Sequence, residues 1–146
     1  MLKVNKKVEY ALMALKFMDQ RQNCNETKLT TAREICDHFK TPFDTVAKVM
    51  QSLNAHDILS SVKGIKGGYE LKVDLSNLTY KQIENIIEGK DVQHFCQGKK
   101  GLCDLYSTCN IIGPVEKLNA HVNSFLENLT LRELLEDNGE HHNERN

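Results

Sequence analysis

The stretch from Ser60 to Leu71 constrains the fold more than any other, because two short strand-like pieces flank a turn rich in glycine and lysine. This pattern predicts a β-hairpin with Lys63 and Lys66 in its turn. Taken alone, a turn of glycine and lysine is more often an ordinary solvated hairpin. Its meaning therefore depends on the segments that come before it.

Two helical patterns lie near the start of the chain. The first is amphipathic, with apolar residues at spacings of three and four, namely Val8, Leu12, Leu15 and Met18. A polar stretch follows, and it is interpreted as a loop. The second helix is expected from Ala32 to Phe39, because Thr31 and Glu34 have the spacing of a capping box.

A third helix is predicted to begin with Thr41 as its cap and Pro42 in the first helical position. Its apolar stripe comprises Phe43, Val46, Val49, Met50 and Leu53, and its other faces carry Asp44, Thr45, Ala47 and Lys48. Two short helices joined by a tight turn describe a helix-turn-helix. The hairpin is then a wing, in which Lys63 and Lys66 are predicted to contact phosphate or reach the minor groove.

The second half of the chain contains a short helix, a cysteine-bearing loop and a long helix. Thr79 to Gly89 predicts the short helix, which ends at the glycine. The long helix has apolar residues at helical spacing, namely Val115, Leu118, Val122, Phe125, Leu126 and Leu129. A second subunit is the natural partner for this stripe. A capping box of Thr130 and Glu133 predicts a final short helix.

These patterns predict a mainly α-helical fold, a winged helix-turn-helix with a two-stranded wing and a long C-terminal dimerisation helix. The expected divisions are a DNA-binding domain at 1–90, a cysteine loop at 91–112, the dimerisation and terminal helices at 113–136, and a disordered tail at 137–146. Residues 1–72 hold 12 Lys and Arg against 8 Asp and Glu, a net charge of +4, although the whole chain has −1. A basic first half is what a phosphate backbone attracts.

The start of the chain lacks the apolar region of a secretory signal, and no apolar run approaches the roughly 20 residues that span a bilayer. We therefore expect a soluble, cytoplasmic protein. In a reducing compartment, the 5 cysteines are not expected to form a disulfide framework. Cys36 is interpreted as a small buried hydrophobic residue and Cys24 as an incidental loop thiol.

Cys96, Cys103 and Cys109 are separated by intervals of 6 and 5 residues in a polar loop. Thiolates select zinc, copper(I) or iron–sulfur clusters, and structural zinc prefers cysteine pairs two to four residues apart. Because such pairs are missing, an iron–sulfur cluster is favoured over zinc. A cluster normally has four ligands, so His94, near Cys96, and Glu9, in the first helix, are candidates for the fourth.

Residues Ser61 to Leu71 resemble the wing signature of the Rrf2 family of bacterial winged-helix regulators, which includes IscR-like and NsrR-like members. The resemblance extends from the first helix through Thr41-Pro42, the three cysteines and Leu129-Thr130-Leu131. It implies a homodimer in which long helices, here at about 113–128, pack together and place the cysteine loop beside the partner's DNA-binding domain.

The resemblance also assigns roles to individual residues. The residues expected to face the major groove are Asp44, Thr45, Ala47 and Lys48. Lys63 would enter or flank the minor groove, and the residues matching the family's cluster ligands are Cys96, Cys103 and Cys109. The cluster would be of the 2Fe-2S or 4Fe-4S type.

The chain departs from the family pattern in three places. The first cysteine interval is longer by one residue, Lys63 stands where many members carry arginine, and Ile112 replaces a histidine ligand. Without that histidine, the chain is similar to members that recruit an acidic residue from the partner's first helix. Glu9 occupies that position, and we hypothesise that it is the fourth ligand, with His94 or an exogenous ligand as alternatives.

The function expected from these features is that of a dimeric, DNA-binding transcription factor that senses nitric oxide, redox state or iron–sulfur status through its cluster. The alternative is a cluster-free repressor switched by thiol oxidation, a metabolite or a partner protein. An enzyme is not expected, because no Cys/His/Asp arrangement or nucleotide-binding glycine motif accompanies the cysteines.

Overall fold

The computed structural model describes residues 3–24, 29–89 and 103–137. The elements in chain order are α1 (Lys6–Asn23), α2 (Ala32–Phe39), α3 (Phe43–Ala55), β1 (Leu59–Val62), β2 (Gly68–Leu71), a 3₁₀ turn (Leu75–Asn77), α4 (Tyr80–Glu88), α5 (Ile112–Asn128) and α6 (Leu131–Leu135). The predicted mainly helical winged fold is confirmed. Among the described residues, no helix has the length and apolar character needed to cross a membrane.

Side-chain caps begin α2, α4 and α6; those of α2 and α6 were predicted from the sequence, and the cap of α4 was not. Thr31 accepts a hydrogen bond from the Glu34 backbone N–H, and the Glu34 carboxylate accepts one from the Thr31 backbone N–H. Thr79 forms the same kind of box at the start of α4, and Gly89 ends that helix in the left-handed conformation. Thr130 caps α6 by accepting a hydrogen bond from the Glu133 backbone N–H, so among the described residues only this half of the predicted capping box is formed.

The start of α3 differs from the prediction by one residue. Pro42 is the N-cap residue, with extended backbone angles (φ −65°, ψ 124°), and its carbonyl accepts the Val46 N–H at 3.1 Å. Thr41 does not cap the helix; within the described residues its Oγ1 is buried without a hydrogen-bond partner. The prediction was wrong because Pro42, at its observed ψ, leaves the first helical position to Phe43.

The wing is an antiparallel hairpin in which Leu59 pairs with Leu71 and Val62 with Gly68. A single residue of the preceding loop extends it: the Thr30 N–H donates to the Tyr69 carbonyl at 2.9 Å, and the Tyr69 N–H donates to the Thr30 carbonyl at 2.8 Å. This bridge joins the edge of the wing to the residue just before the Thr31 cap. The hairpin is thereby attached to the helix-turn-helix by backbone hydrogen bonds as well as by the chain itself.

One hydrophobic core unites the helices with the base of the wing. Its fully buried members include Leu15, Ile35, Met50, Leu53, Leu59, Leu75, Ile83 and Leu131. Cys36 is buried in this core as predicted, and Cys24 is exposed. An ion pair within α4 is also buried: the Lys81 Nζ lies 3.0 Å from the Glu84 Oε2.

The C-terminal end of α5 is attached to this core. Leu126 and Leu131 are buried in it, and the Leu131 N–H donates to the Leu78 carbonyl at 2.8 Å. Arg132 forms two hydrogen bonds to the Asp19 carboxylate, at 2.7 and 3.0 Å, which tie α6 to α1. The direction of α5 is therefore fixed relative to the helix-turn-helix.

Some predictions fall where the structure gives no description. The tail was predicted to be disordered from residue 137; Asp137 itself forms an ion pair with Lys16 at 2.8 Å, and residues 138–146 lie outside the described residues. Cys96 and His94 also lie outside them, within 90–102.

Candidate nucleic-acid interface and cysteine site

The outer face of α3 carries the residues predicted to face the major groove. Val46, Val49, Met50 and Leu53 turn into the core, which fixes the rotation of the helix. Asp44 and Lys48 are exposed as a result, whereas Thr45 and Ala47 are half-buried. Asp44 and Lys48 are therefore accessible on the outer side of α3 and Thr45 and Ala47 only partly so, and their contacts with the major groove stay a prediction.

A surface contact that sequence reasoning missed joins the two helices of the helix-turn-helix. The Arg33 guanidinium of α2 lies 4.2 Å from the ring centroid of Phe43, the first residue of α3. Phe43 is 39% exposed, so this cation–π pair stands at the surface. It places a positive charge beside the start of the recognition helix. No spacing rule in the sequence indicates such a pair.

The tip of the wing is a tight five-residue connection between β1 and β2. Lys63 and Lys66 are both exposed there, as the predicted phosphate contacts require. The Gly67 N–H donates to the Gly64 carbonyl at 3.0 Å, and Gly64 and Gly68 have φ of 119° and 156°. Residues other than glycine rarely adopt these angles, so the glycines determine the shape of the turn.

We expect Gly67→Ala to lower DNA affinity about tenfold, a loss of about 1.4 kcal/mol of binding free energy, because the wing would lose its contacts with DNA. The helical core should stay folded. A Cβ at this position would lie 2.3 Å from the Val62 carbonyl oxygen, so the turn would have to open. Band-shift titration and circular dichroism would measure the two effects. Gly113→Ala, at a position with nothing within 4 Å of the added Cβ, is the matched control.

Two of the three predicted cysteine ligands are described. Cys103 is exposed and Cys109 is half-buried, and both are free thiols at opposite ends of a run of turns that precedes α5. The Tyr106 N–H donates to the Cys103 carbonyl at 3.2 Å. Free thiols in an irregular segment fit soft metal ligation and the sulfur ligation of iron–sulfur clusters.

The helix dipole adds to this fit. Cys109 lies two residues before Ile111, the N-cap of α5, and among the described residues no side chain caps that helix. The N-terminus of a helix carries partial positive charge, which favours an anionic group bound nearby. In the described part of the chain, no three His, Cys, Asp or Glu side chains come close enough to hold a metal ion. Because Cys96 lies outside that part, the complete ligand set stays a prediction.

Glu9 is in the first turn of α1, with its side chain 38% exposed. Its Oε2 lies 2.7 Å from the Lys6 Nζ, and this hydrogen bond, together with the charge of Glu9, raises the pKa of Lys6. The carboxylate is thus accessible at the surface, where a second subunit could approach it. Its role as fourth ligand is not tested by a single chain and stays a prediction.

Residues 4–137 match the sequence model of the Rrf2 family, described as iron-dependent transcriptional regulators. The chain is 26% identical, over 130 residues, to an HTH-type transcriptional regulator of Aquifex aeolicus, with 88% of each chain covered. It is also 26% identical to the HTH-type transcriptional regulator IscR of Klebsiella pneumoniae, over 92% of this chain and 80% of that protein.

The fold is similar to that of a solved regulator. The structure of CymR, the global cysteine regulator of B. subtilis, superposes with a TM-score of 0.68 at 18% identity, covering 92% of this chain and 97% of that one. At this identity the likeness shows the fold alone. The family and its IscR member are transcriptional regulators and not enzymes, in agreement with the expectation for this chain.

Proposed function

Because the chain belongs to the Rrf2 family of transcriptional regulators, we propose that it binds operator DNA as a cytoplasmic homodimer and that a cysteine-ligated iron–sulfur cluster controls this binding. The observation that carries the proposal is the combination, in one chain, of an outer face of α3 with exposed Asp44 and Lys48 and of free thiols in the segment that leads into α5. The signal would be nitric oxide, redox state or iron–sulfur status.

DNA binding follows from the two surfaces described above. The residues proposed to contact the major groove are Asp44, Thr45, Ala47 and Lys48. Lys63 and Lys66 would contact phosphate or the minor groove from the wing, and Arg33 would add a phosphate contact beside α3. Since backbone hydrogen bonds join the wing to Thr30, the residue before the cap of α2, the helix and the wing would meet the duplex as one unit.

The homodimer is proposed from the apolar side of α5. Ile111, Leu118 and Phe125, spaced seven residues apart, are 54%, 50% and 65% exposed. Val115 and Val122 lie between them at spacings of three and four and are half-buried. A seven-residue repeat of this kind is the pattern of helices that pack along their length. Apolar side chains exposed in such a row favour an interface.

We assign the cluster to Cys96, Cys103 and Cys109, with Glu9 of the partner subunit as fourth ligand. When bound, an iron–sulfur cluster supplies redox-active, thiolate-held iron that reacts with oxidants and nitric oxide. The chain's contribution is positional. Cys109 lies at the start of α5, and α5 is attached to the helix-turn-helix through Leu126 and Leu131. A change at the thiols could therefore shift the two recognition helices relative to each other.

A cluster-free thiol switch is the second candidate, favoured by the exposure of the Cys103 and Cys24 thiols. A similar fold occurs in a protein described as a global cysteine regulator, which makes sulfur-linked signals reasonable for this alternative. The two candidates differ in one measurable respect. A cluster brings iron and acid-labile sulfide, whereas a thiol switch brings neither.

Anaerobic purification tests the cluster directly. We expect the protein to absorb visible light and to contain iron and acid-labile sulfide, and we expect Cys109→Ser to lose all three properties. Cys24→Ser, which removes an exposed thiol that is not a proposed ligand, should retain them. Replacing Glu9 with alanine should change the visible spectrum without altering duplex binding by the apo protein. A colourless wild-type protein that contains neither iron nor sulfide would refute the cluster and favour the thiol switch.

A further inference from the structure

The most exposed large apolar side chain of the described residues is at the tip of the wing. Ile65 has a relative exposure of 108%, so its side chain is fully open to solvent. A single exposed apolar residue needs no explanation by itself, because many folded proteins have such residues. Ile65 is unusual because of the turn that holds it and the charges on either side of it.

The turn holds Ile65 in a fixed position. The residue directly follows Gly64, whose φ is 119°. The hydrogen bond from the Gly67 N–H to the Gly64 carbonyl closes the turn in which Ile65 lies. The two strands that carry the turn are paired along their full length from Leu59 to Val62, and Thr30 braces the second of them. Isoleucine is also stiff, since its β-branch restricts χ1. An apolar group is thus presented at the tip with little freedom to lose on binding.

The charges around Ile65 indicate the kind of surface it would meet. Lys63 and Lys66 flank it, both are exposed, and the segment from 61 to 68 contains no acidic residue. Two cations with an apolar group between them complement a groove with phosphates along both edges and sugars along its walls. The minor groove of B-DNA, about 6 Å wide, is such a groove. Apolar side chains, isoleucine among them, are used in this way by proteins that bind the minor groove.

We propose that Ile65 enters the minor groove beside the major-groove segment occupied by α3 and packs against the deoxyribose walls, with Lys63 and Lys66 on the phosphates at either side. This inference rests on the proposed DNA-binding function and adds a contact to it. In a dimer, each wing would make one such contact, so the operator would have two flanking minor-groove positions that depend on Ile65.

The test uses a duplex enriched by the full-length wild-type protein from a library of randomised sequence. Hydroxyl-radical footprinting reports the accessibility of the deoxyribose hydrogens in the minor groove. We expect Ile65→Ser to lose the positions protected from hydroxyl radicals on both flanks. It should keep the protection of guanine N7 from methylation in the major groove. Its affinity at fixed salt should fall about tenfold, as expected for an apolar contact of this size.

Two further variants separate this apolar contact from its surroundings. Val62→Ser changes another exposed apolar residue of the same hairpin, 49% exposed but at the end of β1 rather than in the turn, and should keep the wild-type footprint. Lys63→Gln should reduce the slope of log affinity against log salt by about two, one phosphate per wing, whereas Ile65→Ser should leave the slope unchanged.

The outcomes are distinct. An Ile65→Ser variant with the wild-type footprint and affinity would overturn the proposal. Loss of the footprint at the flanks and in the major groove together would also overturn it, because a general loss of binding is not a minor-groove contact. If the wild-type protein enriched no duplex, the proposed DNA-binding function itself would fail.

Discussion

Replacing Phe125 with glutamate is expected to convert the protein into a monomer and to lower its affinity for operator DNA by about 100-fold or more, because linked binding to two half-sites contributes a factor of that order. Phe125 is 65% exposed in the single chain and is the last and most exposed member of the apolar row along α5. A carboxylate at this position would be buried against apolar side chains in the dimer, without a partner for its charge.

The fold of each subunit should survive this change. The neighbouring residue Leu126 is 2% exposed and faces the subunit's own core, so the two residues serve different surfaces of the same helix turn. The attachment of α6 to α1 through Arg132 and Asp19 is also independent of Phe125. The helical content of the Phe125→Glu variant should therefore equal that of the wild type.

Analytical ultracentrifugation and band-shift titration at the same salt concentration would measure these effects. Ala120→Glu provides the matched control, since it adds the same charge to an exposed position on the opposite side of α5. We expect this variant to stay dimeric and to bind DNA as the wild type does. If Phe125→Glu remained a dimer, α5 would not be the interface.

The second large effect concerns the buried ion pair of α4. Glu84→Ala is expected to lower the free energy of unfolding of the apo protein by about 3 kcal/mol, because a buried charge that loses its partner remains uncompensated. The side chains of Lys81 and Glu84 are 8% and 3% exposed, and the pair is 3.0 Å apart. Helix α4 packs against α1, α3 and α5, so water cannot easily replace the missing carboxylate.

Urea denaturation at one fixed protein concentration would measure this loss. The double variant Lys81→Met with Glu84→Leu should recover most of the lost stability, since apolar residues often replace a buried ion pair without cost. Glu9→Ala is the matched control: Lys6 and Glu9 have the same i, i+3 spacing at 2.7 Å but are exposed, so the unfolding free energy should barely change. Equal effects of Glu9→Ala and Glu84→Ala would contradict the role of burial.

Sequence patterns predicted most of the helical framework because the signals are local. A cap such as Thr31 and a glycine such as Gly89 act within one turn of their own helix, and both are where the sequence places them. The start of α3 was misplaced because the ψ of Pro42 decides it, and residue type alone does not fix ψ. The bridge from Thr30 to Tyr69 was missed because a single paired residue has no periodicity.

The candidate site was predictable to a similar extent and for similar reasons. Helical spacing predicted that Asp44 and Lys48 lie on the outer face of α3. The glycines of the hairpin predicted that Lys63 and Lys66 lie in its turn. The stacking of Arg33 on Phe43 depends on the angle between two helices, which sequence does not give. The isolation of Ile65 depends on the geometry of the turn. Glu9 as a ligand depends on a second subunit, so no pattern within one chain tests it.

Operator binding by the cluster-bound and apo forms, measured in parallel at one salt concentration, tests the central claim most directly. Salt must be fixed because phosphate contacts make the affinity steeply salt-dependent. The proposed mechanism predicts that the two forms differ in affinity by about tenfold or more, a coupling typical of two linked sites. Equal affinity of the two forms would contradict control of DNA binding by the cluster, even if the purified protein contained one.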